Sequence, residues 1–201
     1  MRQIQEIRIA LAVTAAGRAA RFGSDKLAAS YRGQPIGEIC LSLYPPEDFS
    51  DRVAVFSSAR EQLKKYAEAH GYRARINPCP EAGLSSSVWI AVSAILEKET
   101  PDGILFAAAD MPFLTPASIK KLRQLFTARP EYICALSHKG TIGKPVIFPK
   151  ALYPELLALD GDKGGRGILK KHPELIKTVE AEEKELVDID TPEEAARWLS
   201  C

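Results

Sequence analysis

The chain carries no apolar run of membrane-spanning length, no closely paired cysteines and no surplus of charge of either sign. A helix that crosses a bilayer needs about 20 consecutive apolar residues, and none of the hydrophobic stretches is that long. Met1 to Glu6 also lack the apolar core and small-residue cleavage site of a signal peptide, so the expected location is the cytoplasm. The four cysteines, Cys40, Cys79, Cys134 and Cys201, form no C-x-x-C pair. Cys40 and Cys134 read as core residues, and Cys79 as a loop thiol open to reaction. With 27 basic and 26 acidic residues interspersed, there is no broad cationic face for nucleic acid or a membrane surface. Any anion site must be local.

Familiar catalytic signatures are missing as well. No Ser-His-Asp or Cys-His nucleophile pattern is evident. A Walker loop needs Lys directly after its second Gly and Ser or Thr after that, whereas Ser24 and Asp25 separate Gly23 from Lys26. A dinucleotide fingerprint needs G-x-G-x-x-G, and only Gly17 precedes Gly23.

What is present is a soluble globular composition, 46% hydrophobic and 26% charged over 201 residues, long enough for one domain spanning 1–201 with a sizeable core. Strand and helix patterns alternate about every 25 to 30 residues, which predicts a three-layer α/β domain with a mainly parallel sheet. The first strand, Ile7 to Val13, runs into Thr14 to Lys26, a small-residue loop with Ala15, Ala16, Gly17 and Gly23 and the cations Arg18, Arg21 and Lys26. Small residues let backbone approach a ligand closely, turn N–H groups face anions, and clustered cations take several phosphate oxygens. The loop therefore reads as a polyphosphate site, with a solvated basic turn as the plain alternative.

The rest of the chain follows the same rhythm. Pro35 to Leu43 reads as a helix and Arg52 to Ser57 as a strand. Ser58 and Glu61 suggest a capping box for the next helix, closed by Gly71 after His70, which suits the helix dipole. Tyr72 to Ile76 is a strand, and Ser85, Ser86 and Ser87 open the following helix, either as caps or as a seat for phosphate or ribose. Gly103 to Ala109 is a buried strand ending in Asp110, where open α/β sheets place ligands. Such a carboxylate needs a partner or a metal, and Mg²⁺ held by one or two carboxylates plus substrate phosphates is the usual arrangement for nucleotides.

Thr115 and Pro116 start another helix. Strands at Tyr132 to Leu136 and Lys144 to Phe148 flank a hairpin or lip that holds His138. A helix over Leu152 to Leu159 precedes Asp160 to Gly167, a glycine-rich loop whose Lys163 and Arg166 suit an anion, though a flexible turn fits equally. In the tail, Asp188 and Asp190 alternate with Val187 and Ile189 as on a strand, so one of them can join Asp110 on a metal.

Six segments in this order, TAAGRAARFGSDK, NPCPEAGLSSSVWIAVSAI, AAADMPFLTP, GKPVIFP, LDGDKGGRGILKK and DIDTPEEA, resemble the molybdenum cofactor nucleotidyltransferase family, and within it the cytidylyltransferase branch serving molybdenum hydroxylases. The resemblance covers nearly the whole chain. It implies a nucleotide-binding, Rossmann-like α/β fold and transfer of a nucleotidyl group from a nucleoside triphosphate to the phosphate of molybdopterin, with release of pyrophosphate. The double alanine Ala15 Ala16 Gly17 favours CTP over GTP.

By that resemblance, Ala15, Ala16, Gly17, Arg18, Asn77, Ser85 and Ser86 would bind nucleotide. Arg21 and Lys26 would hold the triphosphate, and Asp110 and Asp190 would carry Mg²⁺ or Mn²⁺. Ser87, Lys144, Lys163 and Arg166 would face the molybdopterin acceptor. Transient contact with a molybdenum hydroxylase apoenzyme or its insertion chaperone is also implied. Thr14 and Lys144 depart from the family's usual Leu and His. Two rival expectations remain: a guanylyl- or other nucleotidyltransferase acting on a sugar or polyol phosphate, and a cofactor carrier that transfers nothing.

Overall fold

Nine strands run in chain order as β1 (Ile9–Ala15), β2 (Ser30–Tyr31), β3 (Gln34–Pro35), β4 (Arg52–Ser57), β5 (Arg73–Asn77), β6 (Gly103–Ala108), β7 (Ile133–His138), β8 (Thr141–Pro149) and β9 (Ile176–Glu180) in a computed structural model that describes residues 6–17, 25–161 and 164–199. Seven of them form one sheet in the order β5-β4-β1-β6-β8-β7-β9, and β2 pairs with β3 apart from it. The β5-β4-β1-β6 half is parallel, β8 is antiparallel to both its neighbours, and β9 is parallel to β7.

Period-two alternation along the buried strands divides the core into two layers. In β1, Ile9, Leu11, Val13 and Ala15 face one side and Ala10 and Ala12 the other. The first side is covered by α1 (Ile36–Ser42), α2 (Glu61–Ala69), α4 (Pro116–Ala128) and α7 (Pro192–Leu199). The second is covered by α3 (Leu84–Lys98), α5 (Tyr153–Leu157) and α6 (Arg166–Lys171). The three-layer, mainly parallel α/β architecture read from the alternation of patterns is the one found.

Local boundaries differ where tertiary contacts override sequence signals. The capping box expected from Ser58 and Glu61 does not form: Ser58 lies in a turn, Arg60 stands at the N-cap of α2, and Glu61 is its first residue. Arg60 is held there because its guanidinium reaches back to β1. The three serines do not cap α3 either. Gly83, at φ 91°, begins that helix one residue before Leu84, a backbone angle that favours glycine, and so Ser85 to Ser87 fall within the first turn. The helix expected over residues 152–159 is a 3₁₀ turn, Lys150–Leu152, followed by the short α5.

The segment expected as a hairpin or lip is a tight β7–β8 hairpin turning at Lys139 and Gly140, both at positive φ. His138 closes β7 partly buried, with Nδ1 2.9 Å from the Ala181 carbonyl. Strand β9 lies at the sheet edge with a largely exposed sequence, so it lacks the apolar run that marks a buried strand.

Candidate active site at the strand carboxyl ends

Because β5, β4, β1 and β6 are parallel, their carboxyl ends share one edge of the sheet: Asn77 is the last residue of β5, Ala16 and Gly17 follow β1, and Asp110 stands just beyond β6. The chain moves from β1 outward to β4 and β5, then crosses to β6 on the other side of β1. Ligands of open α/β sheets bind at such a reversal. Strand β8 runs the opposite way, so its first residues, with Lys144, arrive at the same edge.

Lys26 stands at the centre. Its ammonium donates to Asp110 Oδ2 and to Asp190 Oδ1, each at 2.6 Å. The lysine residue is only 8% exposed, so its charge is retained only because two carboxylates meet it. Burial pulls the Lys26 pKa down, but Asp110 and then Asp190 outweigh that effect and hold it above the ordinary lysine value. Asp25 begins the 3₁₀ turn that places Lys26, its carboxylate accepting from the Leu27 amide at 3.2 Å.

The tail reaches this edge as an irregular strap instead of the strand its alternation suggested. The Ile189 amide donates to the Asp110 carbonyl at 3.0 Å, and Ile189 is fully buried. Its neighbours then diverge: Asp190 meets Lys26, and Asp188 Oδ2 accepts from Lys144 Nζ at 2.9 Å. Desolvation raises the Asp188 pKa, Lys144 opposes the rise, and the Asp110 charge adds to it.

Glu185 anchors the strap upstream. Its carboxylate accepts from the Thr115 amide and hydroxyl, the Ser118 hydroxyl and the Glu182 amide, at 2.7 to 3.1 Å. Burial pushes its pKa up, but these donors more than compensate and the net direction is down. Glu194 accepts from the Asp190 and Thr191 amides at 2.8 and 3.0 Å, which anchors the other end.

The remaining expected residues fall into two groups. Asn77 Nδ2 donates to Ser86 Oγ and Ser87 Oγ at 2.8 and 2.9 Å, joining the end of β5 to the first turn of α3. Ser85 is buried beside them in that turn. Ala15 and Ala16 pack their methyls into the two opposite cores, so they offer a ligand only backbone. A side chain added at Gly17 would meet open space. Arg18, Arg21 and Lys163 lie outside the described residues. Cys79, read as an exposed loop thiol, is exposed, and Cys40 and Cys134 are buried, with burial pushing the Cys134 thiol up to about 12.

A cavity of about 480 Å³ lies between β8, α3 and α6, with Asp188 in its wall. Its walls are largely apolar, with Val88, Phe106, Val146, Phe148, Leu156 and Leu169. Thr14, Lys144, Arg166 and Asp188 supply the polar part. Gly164 and Gly165 let the start of α6 close over it: a Cβ on Gly165 would stand 2.8 Å from the Phe148 ring, and one on Gly164 2.7 Å from Leu84.

A divalent cation fits this edge by donor chemistry. Among the described residues there is no group of three or more His, Cys, Asp or Glu arranged as a metal cage. Two carboxylates converge, however, and Asp110 Oδ1 and Asp188 Oδ1 are buried without a hydrogen-bond partner. Buried carboxylate oxygens of this kind suit a hard cation that takes its other ligands from phosphate and water.

Sequence reasoning missed Arg60, Glu185, the pairing of Asp188 with Lys144, and the apolar cavity. A lone Arg in a Ser-Ser-Ala-Arg turn carries no local signal, since its partners are the distant carbonyls of Ala15 and Gly17.

Residues 11–176 match the MobA-like NTP transferase domain family. The purine catabolism protein PucB of Bacillus subtilis (strain 168) is 31% identical over 189 residues, covering 90% of each chain. Among solved structures, Rv0371c of Mycobacterium tuberculosis H37Rv superposes with a TM-score of 0.83 at 21% identity over 98% of this chain and 100% of that one. A manganese complex of Rv0371c gives 0.79 at 21% identity over 96% and 98%. Molybdopterin-guanine dinucleotide biosynthesis protein A of Archaeoglobus fulgidus gives 0.66 at 19% identity over 95% and 97%. Among the described residues, no helix is long and apolar enough to cross a membrane.

Proposed function

The chain belongs to the MobA-like NTP transferase domain family and is a nucleotidyltransferase, and from that premise we propose that it transfers CMP from CTP to the terminal phosphate of molybdopterin or its molybdenum form. The observation that carries the reading is the Lys26 ammonium shared between Asp110 and Asp190 at the β1–β6 switch point. Transfer at phosphorus has little covalent work for a protein to do, so positioned cations and carboxylates matter more than a nucleophilic side chain.

The acceptor phosphate oxygen attacks the α-phosphorus in line, the bond to the bridging oxygen breaks, and pyrophosphate leaves with the electron pair. Lys26 turns from the carboxylates to the triphosphate and neutralises charge that grows on the leaving group. Backbone amides near Ala16 and Gly17 face the phosphates. Asn77, Ser85 and Ser86 take the nucleoside side, and Ser87 faces the acceptor. A Mg²⁺ or Mn²⁺ held by Asp110 and Asp190 supplies further neutralisation of the triphosphate when bound. The manganese complex of the fold relative Rv0371c supports a divalent ion of this type.

The adjoining cavity supports a ring-bearing acceptor. A sugar or polyol phosphate would bury hydroxyls against Val88, Phe106 and Phe148 without partners, at about 1–3 kcal/mol each. A flat heterocycle lays its faces on such walls and leaves its phosphate to the Lys144 and Arg166 end. A relative named for purine catabolism supports a client hydroxylase that acts on a purine, reached by transient contact of this enzyme with the apoenzyme or its insertion chaperone. Pyrophosphate release by the purified protein with Mg²⁺ and molybdenum cofactor, comparing CTP, GTP and ATP, tests the reading. Release with CTP alone is expected; release only with a sugar or polyol phosphate as acceptor would overturn it.

A further inference from the structure

Arg60 belongs to no motif of the nucleotide site, yet its guanidinium is buried against the start of the loop that follows β1. One terminal nitrogen donates to the Ala15 carbonyl, and the other donates to the Gly17 carbonyl at 2.9 Å. The latter also stands 3.3 Å from Asp25 Oδ1, so one side chain reaches both sides of residues 18–24. The side chain is 6% exposed. Burial lowers its pKa, against the pull of Asp25 and Asp110, and an arginine keeps its charge nonetheless. A buried cation is retained in a turn only where its donors are used, and here they are used on loop backbone.

We infer that Arg60 is a positioning residue for nucleotide binding: it holds the Ala15 and Gly17 carbonyls on the β4 side and so keeps the Ala16 amide toward the triphosphate. The reason lies in the peptide unit. The C=O and N–H of one trans peptide point in opposite directions, so the Ala15 carbonyl, drawn toward β4, sends the Ala16 amide toward β6, the strand that leads to Asp110. Carbonyl oxygens repel phosphate and amide hydrogens attract it. Without Arg60 these two carbonyls lose their cationic partner, and the loop start can rotate either dipole toward the anion. Asp25 completes the brace by tying the chain just before Lys26, which must meet the same triphosphate.

This inference rests on the nucleotidyltransferase reading of the edge, and its test separates the two. Calorimetric titration of the full chain with the Mg²⁺ complexes of CTP, GTP and ATP is compared for native protein, Arg60→Lys, Arg60→Gln and Asp25→Asn. Hydrogen exchange of the segment holding Ala16 and Gly17 is followed in the same samples.

Nucleotide affinity is expected to fall at least about tenfold in Arg60→Gln, the loss of a charge-assisted pair of bonds. Arg60→Lys should recover part of it, and Asp25→Asn should show a smaller loss. Exchange at Ala16 and Gly17 should quicken by a similar factor while that of Ala10 to Ala12 stays unchanged, and affinity for molybdenum cofactor should move less than about twofold. Native protein that binds none of the three nucleotides refutes the nucleotide reading itself. Variants that bind nucleotide like native protein, or that lose nucleotide and cofactor equally while exchange rises across the whole sheet, refute the role of Arg60.

Discussion

Replacing Lys26 with alanine should raise the affinity of the free protein for a divalent cation while nearly abolishing transfer. In the structure the ammonium already occupies the space between Asp110 and Asp190, 2.6 Å from each. A metal binding those carboxylates must therefore displace or repel it. Two unit charges about 4 Å apart interact by about 4 kcal/mol at an effective dielectric of 20. The Asp190 side chain is 45% exposed, so solvent and salt screen much of that. A residual of about 1.4 kcal/mol still corresponds to about a tenfold gain in Mn²⁺ affinity on removing the lysine.

Turnover should move the opposite way. Loss of one preorganised cation at the developing charge lowers kcat by about 10²–10³-fold. Manganese titration followed by electron paramagnetic resonance, beside steady-state pyrophosphate release, measures both. If Mn²⁺ affinity falls together with turnover, Lys26 organises the metal carboxylates instead of competing for them. If turnover stays within about threefold of native, Lys26 has no part in the chemistry.

Three further outcomes follow from the same geometry. Asp190→Asn should remove most Mn²⁺ dependence, whereas Asp188→Asn, which frees Lys144, should chiefly raise the KM for the acceptor; paired kinetics at varied metal and varied cofactor distinguish them. Glu185→Gln should destabilise the fold by about 1.5–3 kcal/mol in urea unfolding at neutral pH, since the carboxylate loses its charge-assisted bonds. Because the folded pKa of Glu185 lies below the ordinary 4.5, its contribution is complete above that value and disappears as pH falls through the folded one, so native and variant stabilities should converge in acid. Gly165→Ala should push a methyl toward the Phe148 ring, 2.8 Å away, and raise the KM for molybdenum cofactor while leaving the KM for nucleotide unchanged.

How much was legible beforehand depended on the range of each interaction. Strand β4 was found with its bounds, and α4 with its Thr115 cap and Pro116, because a capping hydroxyl and an apolar stripe are recorded within a few residues. The cap expected at Ser58 failed because a distant contact, Arg60 with β1, outweighed a local one. The strand reading of Asp188 to Asp190 found the alternation but not its cause, which is a strap pinned at Ile189 by the Asp110 backbone. Strand β9 went unseen because an edge strand carries no continuous apolar run.

The sequence by itself determined the layered α/β class and the place of Asp110 just beyond a buried strand, since each is written in residue types at short spacing. Tertiary structure alone decided that Lys26 sits between Asp110 and Asp190, that Lys144 meets Asp188, and that an apolar cavity closes beneath α6 against Phe148. Those pairings join residues far apart in the chain. No local pattern encodes which strand ends will share an edge, because that is set by sheet order, and sheet order comes from packing both faces of every strand at once.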